Sequence, residues 1–299
     1  MAVTAENATS TARRLAQLIE PVVGQVYFSP ECHEGYAKLG FAGSSGFAGK
    51  TALPDGAAYF TSRGSVMGQV PGEVVAATFA VFSPAAVIPA VTHGWTLTDA
   101  ATICAARDDG AIAQLRRVLG DKPTGLARVT ELLVAMTDTL RPEGRGLYSG
   151  VRSLGFPNDP IGKMWRAGDL LREYRGDSHT ASWVAAGLDA TEICLLTDLW
   201  YGLPMRSYSR TRAWTDADFD RAEEQLRFRS LLSGDGLSER GRAMREHIEA
   251  DTDEQMTPAI DELGSDADEL FALLEPWGEA LRDAGAYLSS GPSDLAARR

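Results

Sequence analysis

The sequence predicts a mainly α-helical chain, on three observations. Apolar residues recur at helical spacing over most of the 299 residues, as in Met164, Ala167, Leu170, Leu171 and Tyr174. Capping side chains stand just ahead of several such runs, Ser29-Pro30, Thr98-Asp99 and Thr215-Asp216 among them. Strand candidates are few and short. With 44% apolar and 23% charged residues, the composition is that of a globular chain with a sizeable core.

Taken in order, residues 11–19 form a first helix, with Ser10 or Thr11 as cap and Leu15, Leu18 and Ile19 on one face. Ser29-Pro30-Glu31 opens a second that stops at Gly40. Residues 40–56 read as a Gly/Ser/Ala-rich loop, 57–61 as a short strand, and 63–68 as a turn or hairpin. Helices follow over 73–82, from the Thr98-Asp99 cap to 107, over 111–119 and over 126–140. Residues 141–160 hold four glycines and three prolines and mark a crossing between lobes. A long helix over 161–174 is expected to stop at Gly176, with a short one over 179–186 after it.

A tight turn at Gly187-Leu188-Asp189 leads to a helix over 190–199. Thr215 caps the next, and two apolar pieces around Gly234-Asp235-Gly236 make a hairpin. Ser238 caps a helix over 240–250. Helix, helix, helix, two-stranded wing, helix is the build of a winged helix-turn-helix lobe in the C-terminal half. The helical N-terminal lobe is either a plain helical unit or a degenerate second winged-helix unit. The expected division is 1–140, a helical lobe with a short β hairpin; 141–160, the crossing; 161–262, the winged lobe; and 263–299, an acidic helical tail.

Residues 214–253 resemble the C-terminal half of MarR-type winged-helix regulators. The residues that match are Leu231-Leu232, Asp235-Gly236-Leu237-Ser238, Gly241, and 245–253. More of the chain resembles an actinobacterial family of MarR-related proteins, through Tyr27-Phe28-Ser29-Pro30-Glu31, Tyr59-Phe60-Thr61-Ser62-Arg63, Trp165, and Arg172-Glu173 with Arg175-Gly176-Asp177-Ser178-His179. The resemblance implies a ligand-responsive regulator that holds a small aromatic or anionic molecule between lobes. It also implies a homodimer, or an intramolecular pseudo-dimer in a chain of this length. Tyr27, Arg63, Trp165, Arg175, Asp177 and His179 are then the expected lining: Arg175 clamps an anion, and Asp177 orients His179 for acid–base work. The rival reading is an enzyme or small-molecule-binding protein that reuses the scaffold without DNA; no reaction or cofactor is named by the residues. A structural or protein-partner module is a third reading.

For DNA, the candidate contacts are Arg206, Arg210, Arg212 and Arg227, with Tyr208 interleaved. Against them stands charge. The net −12 argues against a general nucleic-acid binder. From Asp251 onward, however, twelve acids face only three arginines, so most of that acidity is C-terminal. Over 205–250 nine arginines meet nine acids, and the wing tip carries Asp235.

Other signals are weaker. Three dispersed cysteines, 32, 104 and 194, fit a reducing cytoplasm and no disulfide framework. The uncharged run 74–91 is broken by Pro84 and Pro89, so a buried helix is expected rather than a membrane span. The polar start, 1–11, has no apolar core of a secretory leader. Gly49-Lys50-Thr51 imitates a phosphate loop but has Ser44 where that loop needs glycine. Glu31-Cys32-His33-Glu34 point in different directions on a helix, so no metal site is expected there.

Overall fold

The computed structural model describes residues 5–298; of the leader reading over 1–11, residues 1–4 lie outside them. The chain is mainly helical, with two small antiparallel hairpins. The first half runs α1 (Ala5–Gly24), α2 (Pro30–Lys38), β1 (Ser44–Ala48), β2 (Thr51–Pro54), α3 (Gly56–Gly64), α4 (Gly72–Phe79), α5 (Pro84–Leu97), α6 (Ala100–Leu119), α7 (Leu126–Asp138) and α8 (Gly146–Ser153). The second half runs α9 (Pro160–Ala185), α10 (Ala190–Trp200), α11 (Asp216–Phe228), β3 (Leu232–Ser233), β4 (Gly236–Leu237), α12 (Glu239–Glu254), α13 (Thr257–Leu263), α14 (Ala267–Asp283) and α15 (Pro292–Ala296).

Several boundaries differ from the expectation, each for a physical reason. Ser10 and Thr11 lie inside α1 and do not cap it. The strand expected over 57–61 is helical: the Asp55 carboxylate accepts from the Ala58 N–H at 3.0 Å and starts α3, and Arg63 ends that helix rather than a hairpin. The expected loop over 40–56 contains the β1–β2 hairpin, whose turn is Gly49-Lys50, with Gly49 at φ 59°. That turn accounts for the phosphate-loop imitation. The two helices expected between 98 and 119 are one, α6. The buried helix expected over 74–91 is broken into α4 and α5 at Ala80.

The largest correction concerns α9. Gly176 does not stop it; α9 continues to Ala185, and Gly187 just beyond its cap takes the positive φ, 70°, that suits a helix terminus. A glycine inside a helix costs only about 1 kcal/mol, and α9 is buried on both sides of it. Its first half, with Met164, Trp165 and Leu171, sits in the main core; Trp183 sits in a second core with Leu195, Leu196, Phe219, Leu226, Leu231 and Ile248. One rigid helix, roughly 39 Å long at 1.5 Å per residue, therefore joins the helical body to the winged lobe. The 263–299 stretch also reaches the main core, through Leu270, Leu274, Trp277 and Leu281 of α14.

Candidate functional site

A cavity of about 470 Å³ opens where the segment joining α10 to α11 meets the N-terminal body. Its walls are aromatic. The Tyr27 and Tyr59 rings lie 5.1 Å apart, Tyr59 and Phe82 5.7 Å, and Phe60 and Phe82 5.1 Å. Tyr208 of the α10–α11 connection, Leu53 of β2 and Leu295 of α15 also line it.

Beneath the aromatics lies a buried charge network. The Glu173 carboxylate accepts from Arg63 at 2.8 Å, from Arg172 at 2.8 Å and from the Tyr27 hydroxyl at 3.2 Å. Arg172 also reaches Glu20 at 2.9 Å, and the Tyr287 hydroxyl donates to Glu20 at 3.0 Å. Burial alone would raise the Glu173 pKa; the guanidiniums of Arg63 and Arg172 outweigh it and hold the carboxyl at about 2. Burial pushes the Tyr27 phenol well above its ordinary value, so it stays a neutral donor. On the far side of this network a smaller cavity, about 170 Å³, is lined by Arg63, Arg172, Arg175 and the apolar face of α1.

The expected site residues separate in three dimensions. Tyr27 lines the larger cavity, while Arg63 and Arg175 line the smaller one. Trp165 is fully buried: its indole N–H donates to the Val23 carbonyl at 3.1 Å, under the Arg107 guanidinium. Arg175 is held by Glu249 and, at 2.7 Å, by Asp253. Asp177 accepts the Tyr148 backbone N–H at 3.0 Å, and burial raises its carboxyl to about 6. His179 pairs with the Thr252 hydroxyl at 3.1 Å. Burial, reinforced by Arg245 and Arg175, lowers its imidazole to about 4. Asp177 and His179 thus have separate partners, and the helix-to-helix junction expected around them is the interior of α9.

Phe82 is the functional-looking residue that the sequence offers only as core, and Tyr208 stands there beside candidate DNA contacts rather than at a cavity. Arg172-Glu173 opens the motif that the sequence singles out, and in the fold these two form the charge network while Asp177 and His179 do not join it. The role of Phe82 carries no sequence signal, because its cavity neighbour Arg212 is remote in the chain.

A strap over residues 79–83 ties this cavity to the winged lobe. Ala80 has φ 52° and ψ −60°, and the Val81 N–H donates to the Phe79 carbonyl at 2.6 Å. This is a γ-turn of the rare positive-φ kind, strained for any residue but glycine. The Val81 carbonyl accepts from the Trp214 indole at 2.8 Å, and the Ser83 N–H donates to the Arg212 carbonyl at 2.9 Å. Ala80→Gly is expected to stabilise the chain by about 1 kcal/mol, the relieved strain outweighing the added chain entropy. A urea unfolding midpoint that does not rise would show the turn to be unstrained.

The model of a helix-turn-helix family matches residues 12–288. The chain belongs to that helix-turn-helix family. No curated protein and no solved structure matches it. Membership supports a DNA-binding regulator in general terms, and the winged hairpin β3–β4 between α11 and α12 agrees with it.

In this helix-turn-helix chain α11, the helix directly ahead of the β3–β4 hairpin, carries five acids and two arginines. Arg206 bridges Asp220 and Glu223, both at 2.6 Å. Arg210 meets Asp216 at 2.9 Å. Arg227 meets Glu223 at 2.7 Å and the Gly234 carbonyl at 3.0 Å. Arg212 points elsewhere: it lines the aromatic cavity, 4.6 Å above the Phe82 ring. Among the described residues no helix is long and apolar enough to cross a membrane, and no group of three or more His, Cys, Asp or Glu side chains is placed to hold a metal.

Proposed function

We propose that the chain is a cytoplasmic, MarR-like regulator that senses a small aromatic anion in the 470 Å³ cavity. One observation carries this reading. Ser207, Tyr208, Arg210, Thr211 and Arg212 of the α10–α11 connection form one side of the cavity wall, so an occupant touches the segment that leads into α11, the helix ahead of the wing. An aromatic-lined concavity with a few polar groups is the ordinary form of a small-molecule site.

A second reading is favoured by a separate observation. The acid-paired arginines around α11 support a small-molecule-binding protein that reuses the scaffold without touching DNA. A genomic DNA pull-down at near-physiological salt, with and without added aromatic carboxylates, separates the two. The regulator reading expects enriched fragments whose recovery changes with one of the acids. No enrichment over a protein-free control would remove DNA binding and leave the second reading.

A further inference from the structure

We infer that Arg212 is the seat for the anionic group of a fused-ring aromatic ligand, and so determines the specificity of the cavity. The inference rests on the reading of the cavity as a ligand site and adds which residue selects the ligand and what class it selects.

The first argument is the disposition of charge. Arg172 is committed to Glu20 and Glu173, and Arg210 to Asp216. Arg298 also lines the cavity and is exposed. Arg212 is part-buried and makes no ion pair among the described residues; its guanidinium donates to the Tyr208 hydroxyl. A buried-side cation without a counter-charge is a place where an anion gains most.

The second argument is preorganisation. The guanidinium carbon lies 4.6 Å from the centre of the Phe82 ring and 4.7 Å from that of Tyr208, and the Tyr208 hydroxyl accepts from it. Two aromatic neighbours and one hydroxyl thus hold its position without neutralising its charge. Arginine offers five N–H groups in one plane, and the Tyr208 hydroxyl takes one of them, so N–H groups remain to contact a carboxylate or sulfonate.

The third argument is size. A cavity of ~150 Å³ suffices for benzene. The cavity here, about 470 Å³, is too large for a single ring to fill, and its aromatic walls favour flat partners.

The test uses the full chain and two fluorescent probes that share one ring system, the anionic pyrene-1-carboxylate and the neutral pyrene-1-methanol. Wild-type protein is expected to bind the carboxylate about 10- to 100-fold more tightly, the range of a charge-assisted hydrogen bond. Arg212→Gln is expected to lose that preference while binding the alcohol unchanged. Arg212→Lys is expected to keep a reduced preference, since the charge remains and the planar fork does not. An undiminished carboxylate preference in Arg212→Gln would overturn the assignment, and Arg298→Gln then shows whether the exposed arginine is the seat instead. Equal loss of both probes in Arg212→Gln and in Arg212→Lys would also overturn it, because that pattern marks a structural role. Failure of wild-type protein to bind either probe is a different result: it removes the cavity reading on which the inference stands.

Discussion

Glu173→Ala is expected to destabilise the chain by about 3–5 kcal/mol, the usual cost of removing one partner from a buried ion pair. Glu173 is almost wholly buried, and its two oxygens serve Arg63, Arg172 and the Tyr27 hydroxyl. Alanine leaves the Arg63 guanidinium without a carboxylate; Arg172 retains Glu20. The asymmetry makes a sharper expectation. Removing Arg63 together with Glu173 leaves no stranded cation, so the double variant loses less stability than Glu173→Ala alone. Urea unfolding followed by circular dichroism measures both. A loss below about 1 kcal/mol in the single variant would mean that the network contributes little beyond packing.

The same group fixes the sign of one pH effect. The folded-state Glu173 pKa, about 2, lies below its ordinary value of 4.5. The unfolded chain therefore binds the proton first as acid is added. The stability from Glu173 is fully present above pH 4.5 and is lost as pH falls through about 2. His179 acts in the same direction over a higher window: its folded value of about 4 lies below 6.5, so its share is lost between those two values. Asp177 opposes both, since its folded value of about 6 exceeds 3.8 and its share is lost as pH rises between them. Unfolding measured from pH 8 to pH 3 on wild-type and Glu173→Gln separates the Glu173 share: its acid limb is expected to flatten in the variant.

The winged lobe is legible because local chemistry decides it. Thr215, Ser238 and Asp189 each accept a backbone N–H at a helix start, and Gly187 and Gly234 take the positive φ that their turns require. These are interactions within a few residues, visible as residue types in order. Tyr59-Phe60-Thr61 misleads for a related reason. Its aromatic and β-branched residues suit a strand, but the Asp55 cap and burial of Ala58, Phe60, Thr61 and Ser62 favour a helix. Arg212 is the harder case. In the sequence it stands with Arg206 and Arg210 as a phosphate-contacting stretch; in the fold Phe82 and Tyr208 turn it inward. Nothing in its own neighbourhood reports a ring 130 positions away.

Gly241 shows what a motif glycine is for, and it carries the second large expectation. It is part of the wing signature that gives the C-terminal half its likeness to winged-helix regulators. A Cβ added there would stand 2.0 Å from the Leu231 carbonyl oxygen, which itself accepts the Ser238 N–H at 3.0 Å. Leu231 is fully buried in the second core, beside Leu226 and Ile248. The α12 helix thus crosses the wing so closely that only hydrogen fits. Gly241→Ala gains about 1 kcal/mol of helix propensity, but overpacking against backbone costs up to about 3 kcal/mol, and more where neither side can move. The net expectation is a loss of roughly 2 kcal/mol or more, confined at first to the lobe that holds Trp183 and Trp214. Half of the six tryptophans, Trp183, Trp200 and Trp214, lie in that lobe, so tryptophan fluorescence should show an early step at lower urea with a larger share of its amplitude than far-ultraviolet circular dichroism, which sees the whole helical chain. Gly236→Ala is the matched control: its added Cβ meets nothing within 4 Å, so its midpoint should stay within about 0.5 kcal/mol of wild type. Equal effects from the two substitutions would mean that the wing tolerates displacement. The close approach would then not be what holds α11 and the wing in a single arrangement.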